Sequence, residues 1–242
     1  MKFTSPLIEA VFKKRPNRFL GIVDFEGTRT QCFIPNPGRM KELLISGTKV
    51  YIQRKEGKNR KTKYDIVLVD LHGTLVSVDS RIPNKLVGEA IDEGLILEFD
   101  GYRVAKSEHT VEDSRLDFLL EGEEGKLFLE VKSCTLVKGN TAYFPDAPTK
   151  RGSRHLNTLS RCLEKGRAAA FVVIQRSDAT FFRPYAENDP VFAETLKSVQ
   201  ELGVEVIVYN CKVSTQGIWI HRKVRAQIHE NINKEHKNTS QI

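Results

Sequence analysis

The chain has 242 residues, a net charge of +7 and 40% hydrophobic residues, which is the composition of an ordinary globular protein with one large or two modest domains. No stretch approaches the roughly 20 consecutive apolar residues of a membrane helix, and the N-terminus lacks the apolar run of a signal peptide. These features argue against a membrane protein and predict a cytoplasmic location.

The basic excess is confined to the first third of the chain. Residues 1–82 contain 16 Lys and Arg against 8 Asp and Glu, whereas residues 83–242 contain 22 against 23. Such a segment favours a polyanionic partner, above all nucleic-acid phosphates, although a solubilising surface would have the same composition. The four cysteines are widely spaced and form no C-x-x-C pair, which argues against a zinc site and predicts reduced thiols.

Five short strands are predicted in the basic segment, because runs rich in Val, Ile, Phe and Tyr alternate with turns. They cover residues 19–25, 30–34, 49–53, 64–69 and 74–78, with a helical insert at 38–44. Five strands and one helix suit a small closed barrel of the oligonucleotide-binding (OB) kind, and an SH3-like barrel fits nearly as well. We therefore predict an OB-like barrel over residues 1–82.

Two segments of the predicted barrel are suited to contact phosphate, namely the polar loop 53–63 and the turn that enters the helical insert. The candidate nucleic-acid contacts here are Arg39, Lys41, Arg54, Lys55, Lys58 and Arg60. Four aromatic residues alternate with basic ones and could stack on bases, although barrel core is the expected place for most of them. These are Phe12, Phe19, Phe25 and Phe33.

Beyond a boundary near residues 81–83, helices and strands alternate. Helices are predicted at 84–95 with Asn84 as cap, at 152–165, and at 190–202 with Asp189 as cap. Strands are predicted at 102–111, 115–120, 127–133, 169–175 and 204–209. This α-β-β-β-α-β-α-β order is typical of restriction-endonuclease-like nucleases, so residues 83–226 are predicted to be an α/β domain with a mixed central sheet. Residues 227–242 are predicted to be a polar tail, frayed or disordered.

The strongest chemical signal lies on the second and third of these strands. Asp117 interrupts one apolar strand, and Glu130 and Lys132 lie on the next, where unpartnered charges would be costly. The period of two places Glu130 and Lys132 on one face, and the polar turn 121–126 predicts a hairpin that brings Asp117 beside them. Two carboxylates and an ammonium group in this order match the PD-(D/E)xK arrangement of metal-dependent nucleases.

In such a site Asp117 and Glu130 would bind Mg²⁺ or Mn²⁺, and the backbone carbonyl of Val131 would be a third ligand. Lys132 would orient the attacking water and offset charge in the transition state. Glu89 and Asp146 are candidates for outer carboxylates. Glu-x-Lys occurs four times in the chain, but only Glu130 and Lys132 lie in an apolar strand; a structural ion pair is the alternative.

Further phosphate contacts are predicted around this site. Arg115 precedes Asp117, and Arg151 and Arg154 lie at the start of the predicted helix 152–165, where the free backbone amides also favour anions. His155 is either a nucleic-acid contact and general acid or a solvated or helix-capping histidine.

The chain also resembles the sugar fermentation stimulation protein A family over about residues 18–218. The motifs that carry the resemblance are Pro35-Asn36-x-Gly38-Arg39-Met40, Val78-Asp79-Ser80, Pro83-Asn84-Lys85-Leu86, Ser114-Arg115-Leu116-Asp117-Phe118-Leu119, Glu130-Val131-Lys132-Ser133, Phe144-Pro145-Asp146-Ala147, Arg151-Gly152-x-x-His155-Leu156 and Gln175-Arg176-Ser177-Asp178-Ala179. Pro37 stands where the family has Thr. The resemblance implies an OB-like barrel joined to a nuclease-like domain and DNA binding with little sequence specificity. For some members it implies a link to the regulation of sugar utilisation genes.

Two function classes follow from these observations. The first is a metal-dependent nuclease acting on DNA or RNA, and the second is a non-catalytic DNA-binding regulator of sugar utilisation genes that retains the acidic residues as a scaffold. A metal-sensing or small-ligand module is a third hypothesis. The sequence leaves open the strandedness of the nucleic acid, the identity of the metal and the oligomeric state, including a homodimer.

Overall fold

In a computed structural model that describes residues 1–57 and 60–229, the first part of the chain forms a closed barrel of five strands, and a sixth strand pairs with the last of them outside the ring. The strands are β1 (Ile8–Asn17), β2 (Leu20–Phe25), β3 (Thr28–Phe33), β4 (Lys49–Arg54), β5 (Tyr64–Leu71) and β6 (Thr74–Ser77). Their order is β3-β2-β1-β4-β5-β6, and a parallel pairing of Cys32 and Phe33 with Tyr64 and Asp65 closes the barrel. Phe12, Ile34 and Ile66 are among the residues that fill its core, so the predicted barrel is confirmed.

Two details of the barrel differ from the prediction. Strand β1 is absent from the predicted elements, because a basic run containing Pro16 interrupts the apolar alternation that marks a strand. The predicted helix at 38–44 is a single turn in which the amides of Leu43 and Leu44 bond to the carbonyl of Met40. Met40 has a φ of 47°, which a right-handed helix excludes.

The rest of the described chain contains ten strands in two sheets. They are β7 (Tyr102–Val111), β8 (Ser114–Gly122), β9 (Gly125–Cys134), β10 (Val137–Lys138), β11 (Thr141–Phe144), β12 (Arg167–Ile174), β13 (Phe181–Pro184), β14 (Glu205–Ser214), β15 (Gly217–Lys223) and β16 (Arg225–Ala226). The central sheet has the order β15-β14-β12-β9-β8-β7, with β7, β8 and β9 as an antiparallel meander and β9, β12 and β14 parallel. The predicted mixed sheet is therefore confirmed, with β15 added at one edge. The second sheet, β10-β11-β13-β16, is absent from the predicted elements.

Three α-helices cover the central sheet: α1 (Ile82–Asp92), α2 (Lys150–Cys162) and α3 (Pro190–Glu201), with short 3-10 turns at Leu97–Phe99 and Leu163–Lys165. Helix α1 packs on one face of the sheet, and α2 and α3 pack on the other. Asp189 caps α3 as predicted, by accepting from the amide of Phe192 at 3.0 Å. Helix α1 begins at Ile82, so Asn84 lies inside its first turn and is not the cap.

The end of the described chain packs against the second domain. Strand β16 extends the small sheet, the amide of Gln227 bonds to the carbonyl of Phe182, and Ile228 is buried in the core. Residues 230–242 of the predicted tail lie outside the described residues, as does the predicted contact Lys58. The four cysteines are free and buried. None of the helices in the described part of the chain has the length and hydrophobicity to cross a bilayer.

The barrel and the central sheet are in direct contact. The Ser77 hydroxyl donates to the side-chain oxygen of Gln175 at 3.1 Å, and the Ser77 amide bonds to the Gln175 backbone carbonyl at 2.9 Å. On a neighbouring turn of the barrel, the amide of Met40 donates to Asp146 at 3.3 Å. Polar contacts of this kind, partly buried, hold the barrel against the sheet beside the segment from which α1 starts.

Candidate metal centre

Asp117 lies where strands β8 and β9 separate. Their backbone pairing runs from Gly122 and Gly125 to Phe118 and Leu129 and ends there. Beyond that point the Asp117 side chain, and not the backbone of β8, accepts the hydrogen bond from β9. One carboxylate oxygen accepts from the amide of Val131 at 2.7 Å, and the other accepts from the Asn84 side chain on α1 at 2.6 Å. Two donors from different elements therefore fix the orientation of this carboxylate.

The carbonyl of Val131 is directed toward the same opening. In an extended strand the N–H and C=O groups of one residue point to the same side. Because the Val131 amide reaches Asp117, the Val131 carbonyl also faces the gap that opens between β8 and β9. This is the backbone oxygen that the sequence predicts as a metal ligand.

Glu130 is almost completely buried, at 4% exposure, and its two oxygens have different surroundings. Oε1 accepts from the Lys132 ammonium at 2.7 Å and lies 2.6 Å from Nδ1 of His155. Oε2 is buried without any hydrogen-bond partner. A buried carboxylate oxygen without a donor is unfavourable, and a bound cation would remove that penalty.

His155 is a partner of Glu130 and not a surface residue. It is 2% exposed on α2, and its Nε2 accepts from the Arg151 side chain at 3.3 Å. The remaining ring proton therefore lies on Nδ1 and is donated to Glu130. Burial prevents His155 from contacting a nucleic acid directly, so the structure replaces that predicted role with support of a carboxylate.

The two carboxylates have different acidities. Burial, and then repulsion from Glu130, raise the pKa of Asp117 to about 6. Burial alone would raise the pKa of Glu130 as well, but the Lys132 ammonium and His155 outweigh it and hold that pKa below its usual value. Mutual repulsion of two buried carboxylates is a feature of sites that bind a cation.

The two predicted outer carboxylates lie elsewhere. Glu89 is exposed on α1 and forms an ion pair with the N-terminal amine of Met1 at 3.0 Å. Asp146 accepts from Met40 at the contact between barrel and sheet. Neither shares a hydrogen bond with Asp117, Glu130 or Lys132 in the part of the chain that the structure describes.

The predicted basic contacts fall into two groups. The exposed ones are Arg39, Lys41, Arg54, Arg115, Arg151 and Arg154. Lys55 and Arg60 are half-buried and line a pocket between the barrel and the start of α1, together with Arg81 and Lys85. Arg60 forms an ion pair with the buried Asp65, and Arg115 pairs with Glu108 at 3.5 Å, so part of this basic charge is already offset within the protein.

Asn84 is the site residue that the sequence assigns to another role. An Asn just before an apolar helical pattern is typical of a cap. Its actual contact with Asp117 depends on how α1 packs across β8, which only the folded structure provides. The Pro83-Asn84 pair ahead of the meander is the one sequence signal that marks the position.

The residues present fit a divalent cation with oxygen ligands. Within residues 1–57 and 60–229 no group of three or more His, Cys, Asp or Glu side chains is arranged to hold a metal ion. A metal here would depend on Asp117, Glu130 Oε2, the Val131 carbonyl and water. This set suits a hard divalent cation, because such ions take oxygen ligands from carboxylates, backbone carbonyls and water.

Comparisons with known proteins assign the chain to a family. The family model described as "Sugar fermentation stimulation protein RE domain" matches residues 81–217, and "SfsA N-terminal OB domain" matches residues 14–78. The chain is 45% identical to the sugar fermentation stimulation protein homolog of Moorella thermoacetica over 211 residues, which cover 86% of this chain and 90% of that one. It is 44% identical to the homolog of Desulforamulus reducens over 223 residues, or 92% and 93% of the two chains.

One solved structure is similar over nearly the whole length. It is the structure of Pyrococcus furiosus SfsA in complex with Ca²⁺, which aligns with a TM-score of 0.87 at 33% identity and covers 94% of this chain and 98% of that one. The two domain matches agree with the barrel and the mixed sheet described above. The chain therefore belongs to the sugar fermentation stimulation protein family, with an N-terminal OB barrel followed by a restriction-endonuclease-like domain.

Proposed function

We propose that this protein binds DNA with little sequence specificity and hydrolyses phosphodiester bonds with Mg²⁺ or Mn²⁺ held by Asp117 and Glu130. The observation that carries the proposal is the buried, unpartnered Oε2 of Glu130 beside a second carboxylate whose pKa it raises. The Ca²⁺ in the structure of the Pyrococcus furiosus relative supports a divalent cation in this family.

The side chains around Glu130 have separate tasks in this proposal. Lys132 and His155 both donate to Oε1, so Oε2 remains available as a ligand. Arg151 keeps His155 in the tautomer that donates to Glu130. A metal bound there would polarise a phosphoryl oxygen and lower the pKa of a bound water. The Lys132 ammonium, next to the carboxylates, would orient the attacking water and offset developing negative charge.

The Asp117 carboxylate is already oriented to act as the second metal ligand. Val131 and Asn84 donate to its two oxygens, which leaves the remaining lone pairs of each oxygen for a cation. Because these donors come from β9 and α1, the carboxylate needs little rearrangement on binding. Preorganised groups of this kind stabilise a transition state most effectively.

The basic barrel supports DNA as the substrate. The excess of 16 basic over 8 acidic residues in positions 1–82 provides attraction to phosphates that does not depend on base sequence. Exposed side chains such as Arg39, Lys41 and Arg54 are suited to such contacts. Contacts to phosphate position a nucleic acid without reading its sequence, which agrees with low specificity.

One observation favours a second function. Glu130 and Lys132 are only 4% and 8% exposed and form an ion pair, as a structural network would. In that case the protein is a DNA-binding regulator of sugar utilisation genes without catalysis. It would bind DNA with a steep dependence on salt and would cleave nothing.

A cleavage assay separates the two functions. Labelled DNA and RNA of several structures are incubated with Mg²⁺ or Mn²⁺ and the native protein, Glu130→Gln, Lys132→Ala or Glu89→Gln. Glu89→Gln is the matched control, since it changes an exposed carboxylate outside the site. We expect cleavage by the native protein and the control, and a loss of at least about a hundredfold in the other two variants. Binding without cleavage in either metal would instead support the regulator, and cleavage that survives Glu130→Gln would refute the assigned site.

A further inference from the structure

The barrel presents one exposed aromatic residue with a stacked partner. Phe19 is 44% exposed, and every other Phe, Tyr and Trp in residues 1–57 and 60–229 is buried or half-buried. Its ring lies 6.0 Å from that of Phe33, with 19° between the ring planes. Phe12, by contrast, is in the core, and Phe25 packs edge-on against Tyr64. Phe side chains are usually buried, so an exposed Phe stacked on a half-buried one indicates a contact surface.

The backbone that carries Phe19 is firmly held. The Asn17 side chain accepts from the Phe19 amide at 2.9 Å, and the Phe19 carbonyl accepts from the Ile34 amide at 2.9 Å. Both bonds fix the short turn between β1 and β2. A ring on a fixed backbone loses little conformational entropy when a partner stacks on it.

Three arginine residues lie in or near the turn that carries Phe19 and the turn linked to it. The Arg15 side chain donates to the carbonyls of Arg18 at 2.6 Å, Asn36 at 3.0 Å and Arg39 at 2.6 Å. It thereby ties the turn that carries Phe19 to the turn at residues 36–39. Arg18 and Arg39 are exposed, and neither enters an ion pair among the described residues.

A fourth guanidinium group reaches the other ring of the pair. Arg81 lies 5.9 Å from the centre of the Phe33 ring, although Asp65 and Asp79 offset its charge. The unpaired positive charge of this surface therefore comes from Arg18 and Arg39. Rings for the bases and free guanidinium groups for the phosphates are the combination that binds single-stranded nucleic acid.

The aromatic pair lies near the candidate metal centre. Arg81 directly precedes α1, and Asn84, three residues further, contacts Asp117. With a rise of about 1.5 Å per residue and the side-chain lengths added, the Phe33 ring lies within roughly 25 Å of Asp117. The Phe19 ring is 6.0 Å from that of Phe33 and therefore lies within roughly 31 Å of Asp117. A stacked single strand advances about 3.4 Å per nucleotide, so about nine nucleotides or fewer separate Phe19 from Asp117.

We propose that Phe19 and Phe33 form a stacking site for unpaired bases, and that the preferred substrate has a single-stranded segment beside the position that is cut. Bases inside a continuous duplex are stacked on each other and cannot cover these rings. The predicted position of the cut rests on the proposed function, whereas the binding of unpaired bases by Phe19 and Phe33 does not.

Binding measurements test the stacking site. Glu130→Gln protein, in which the proposed catalysis is blocked, is titrated without divalent metal against single-stranded, duplex and overhang oligonucleotides of equal length, in DNA and RNA form. Three further substitutions are made one at a time in this protein. Phe19→Leu is the test, Phe25→Leu at the other end of the same hairpin is the matched control, and Phe19→Trp is the conservative replacement that should keep the stacking. Phe19→Leu changes an exposed side chain, so the fold is expected to persist.

We expect Phe19→Leu to weaken single-stranded and overhang binding about tenfold and to leave duplex binding unchanged. Phe19→Trp and Phe25→Leu should bind like the parent. An equal loss for all three oligonucleotides, no loss for any, or the same loss in Phe25→Leu would overturn the proposal.

Mapping of cut positions separates this proposal from the proposed function. With the native protein and Mg²⁺, cuts in an overhang substrate are expected within about nine nucleotides of the single-stranded segment. Selective loss of single-strand binding in Phe19→Leu without any cleavage would keep the stacking site and refute the nuclease. Cleavage that ignores the single-stranded segment and persists unchanged in Phe19→Leu would keep the nuclease and refute the predicted position of the cut.

Discussion

Replacing Asp117 with Asn should stabilise the metal-free protein. Burial and repulsion from Glu130 raise the pKa of Asp117, so its charged form is disfavoured in the folded state. Asn is the neutral isostere. The amide of Asn84 can rotate so that its oxygen accepts from the new NH₂ group while Val131 still donates to the new side-chain oxygen. Both hydrogen bonds are then kept, and only the charge is removed.

The magnitude follows from the shift in pKa. The rise from 3.8 to about 6, at about 1.36 kcal/mol per pKa unit, corresponds to about 3 kcal/mol as an upper limit. Because the folded pKa is the higher one, the folded state binds more protons between these values. The native protein therefore loses stability as the pH rises through that range, and the full difference is present above about pH 6. For a chain of this length, 3 kcal/mol corresponds to a rise in Tm of about 6 to 12 °C.

The assay is thermal unfolding of the native protein and Asp117→Asn in EDTA, at neutral pH and below about pH 4. We expect the variant to melt higher at neutral pH and the difference to vanish in acid. Added Ca²⁺ or Mg²⁺ should raise the Tm of the native protein more than that of the variant, since ligand binding stabilises only the protein that binds it. A variant that melts lower at neutral pH, or a difference that does not change with pH, would refute this account of Asp117.

Three other predictions concern the candidate metal centre and the basic barrel. The Mg²⁺ concentration needed for half-maximal cleavage should rise as the pH drops below about 6, because protons compete with the metal for Asp117; a requirement that is unchanged at pH 5 would contradict this. His155→Ala should weaken Ca²⁺ binding, measured by calorimetry, about ten- to a hundredfold. His155→Asn keeps a donor for Glu130 and should lose less affinity, and the exposed control His221→Ala should lose none. Arg39→Ala should lower the slope of log affinity for DNA against log salt by about 1, and an unchanged slope would exclude Arg39 as a phosphate contact.

Much of the fold is predictable from local pattern. The core strand β12 is a nearly continuous apolar run and β9 is apolar except at its site residues and ends, because parallel strands buried on both faces need apolar side chains. Asp117 and the Glu130–Lys132 pair are identifiable from the sequence because charges in such strands need a partner. The elements that the sequence does not reveal have weak patterns, such as β10 with two residues and β16 with two.

The contacts that complete the site are less accessible to sequence reasoning. Asn84 and His155 reach the carboxylates only because α1 and α2 lie on opposite faces of the sheet with particular rotations about their axes. Helix rotation is set by packing of the apolar faces and cannot be read from the identity of one polar residue. The stacked rings of Phe19 and Phe33 depend on cross-strand register in the same way.

The most direct test of the central claim is single-turnover cleavage of labelled DNA by the native protein and by Glu130→Gln, with and without Mg²⁺, alongside DNA affinity in EDTA. The account predicts cleavage only by the native protein with metal and equal DNA affinity for both proteins without metal. Equal cleavage by both proteins, or cleavage in EDTA, would contradict it.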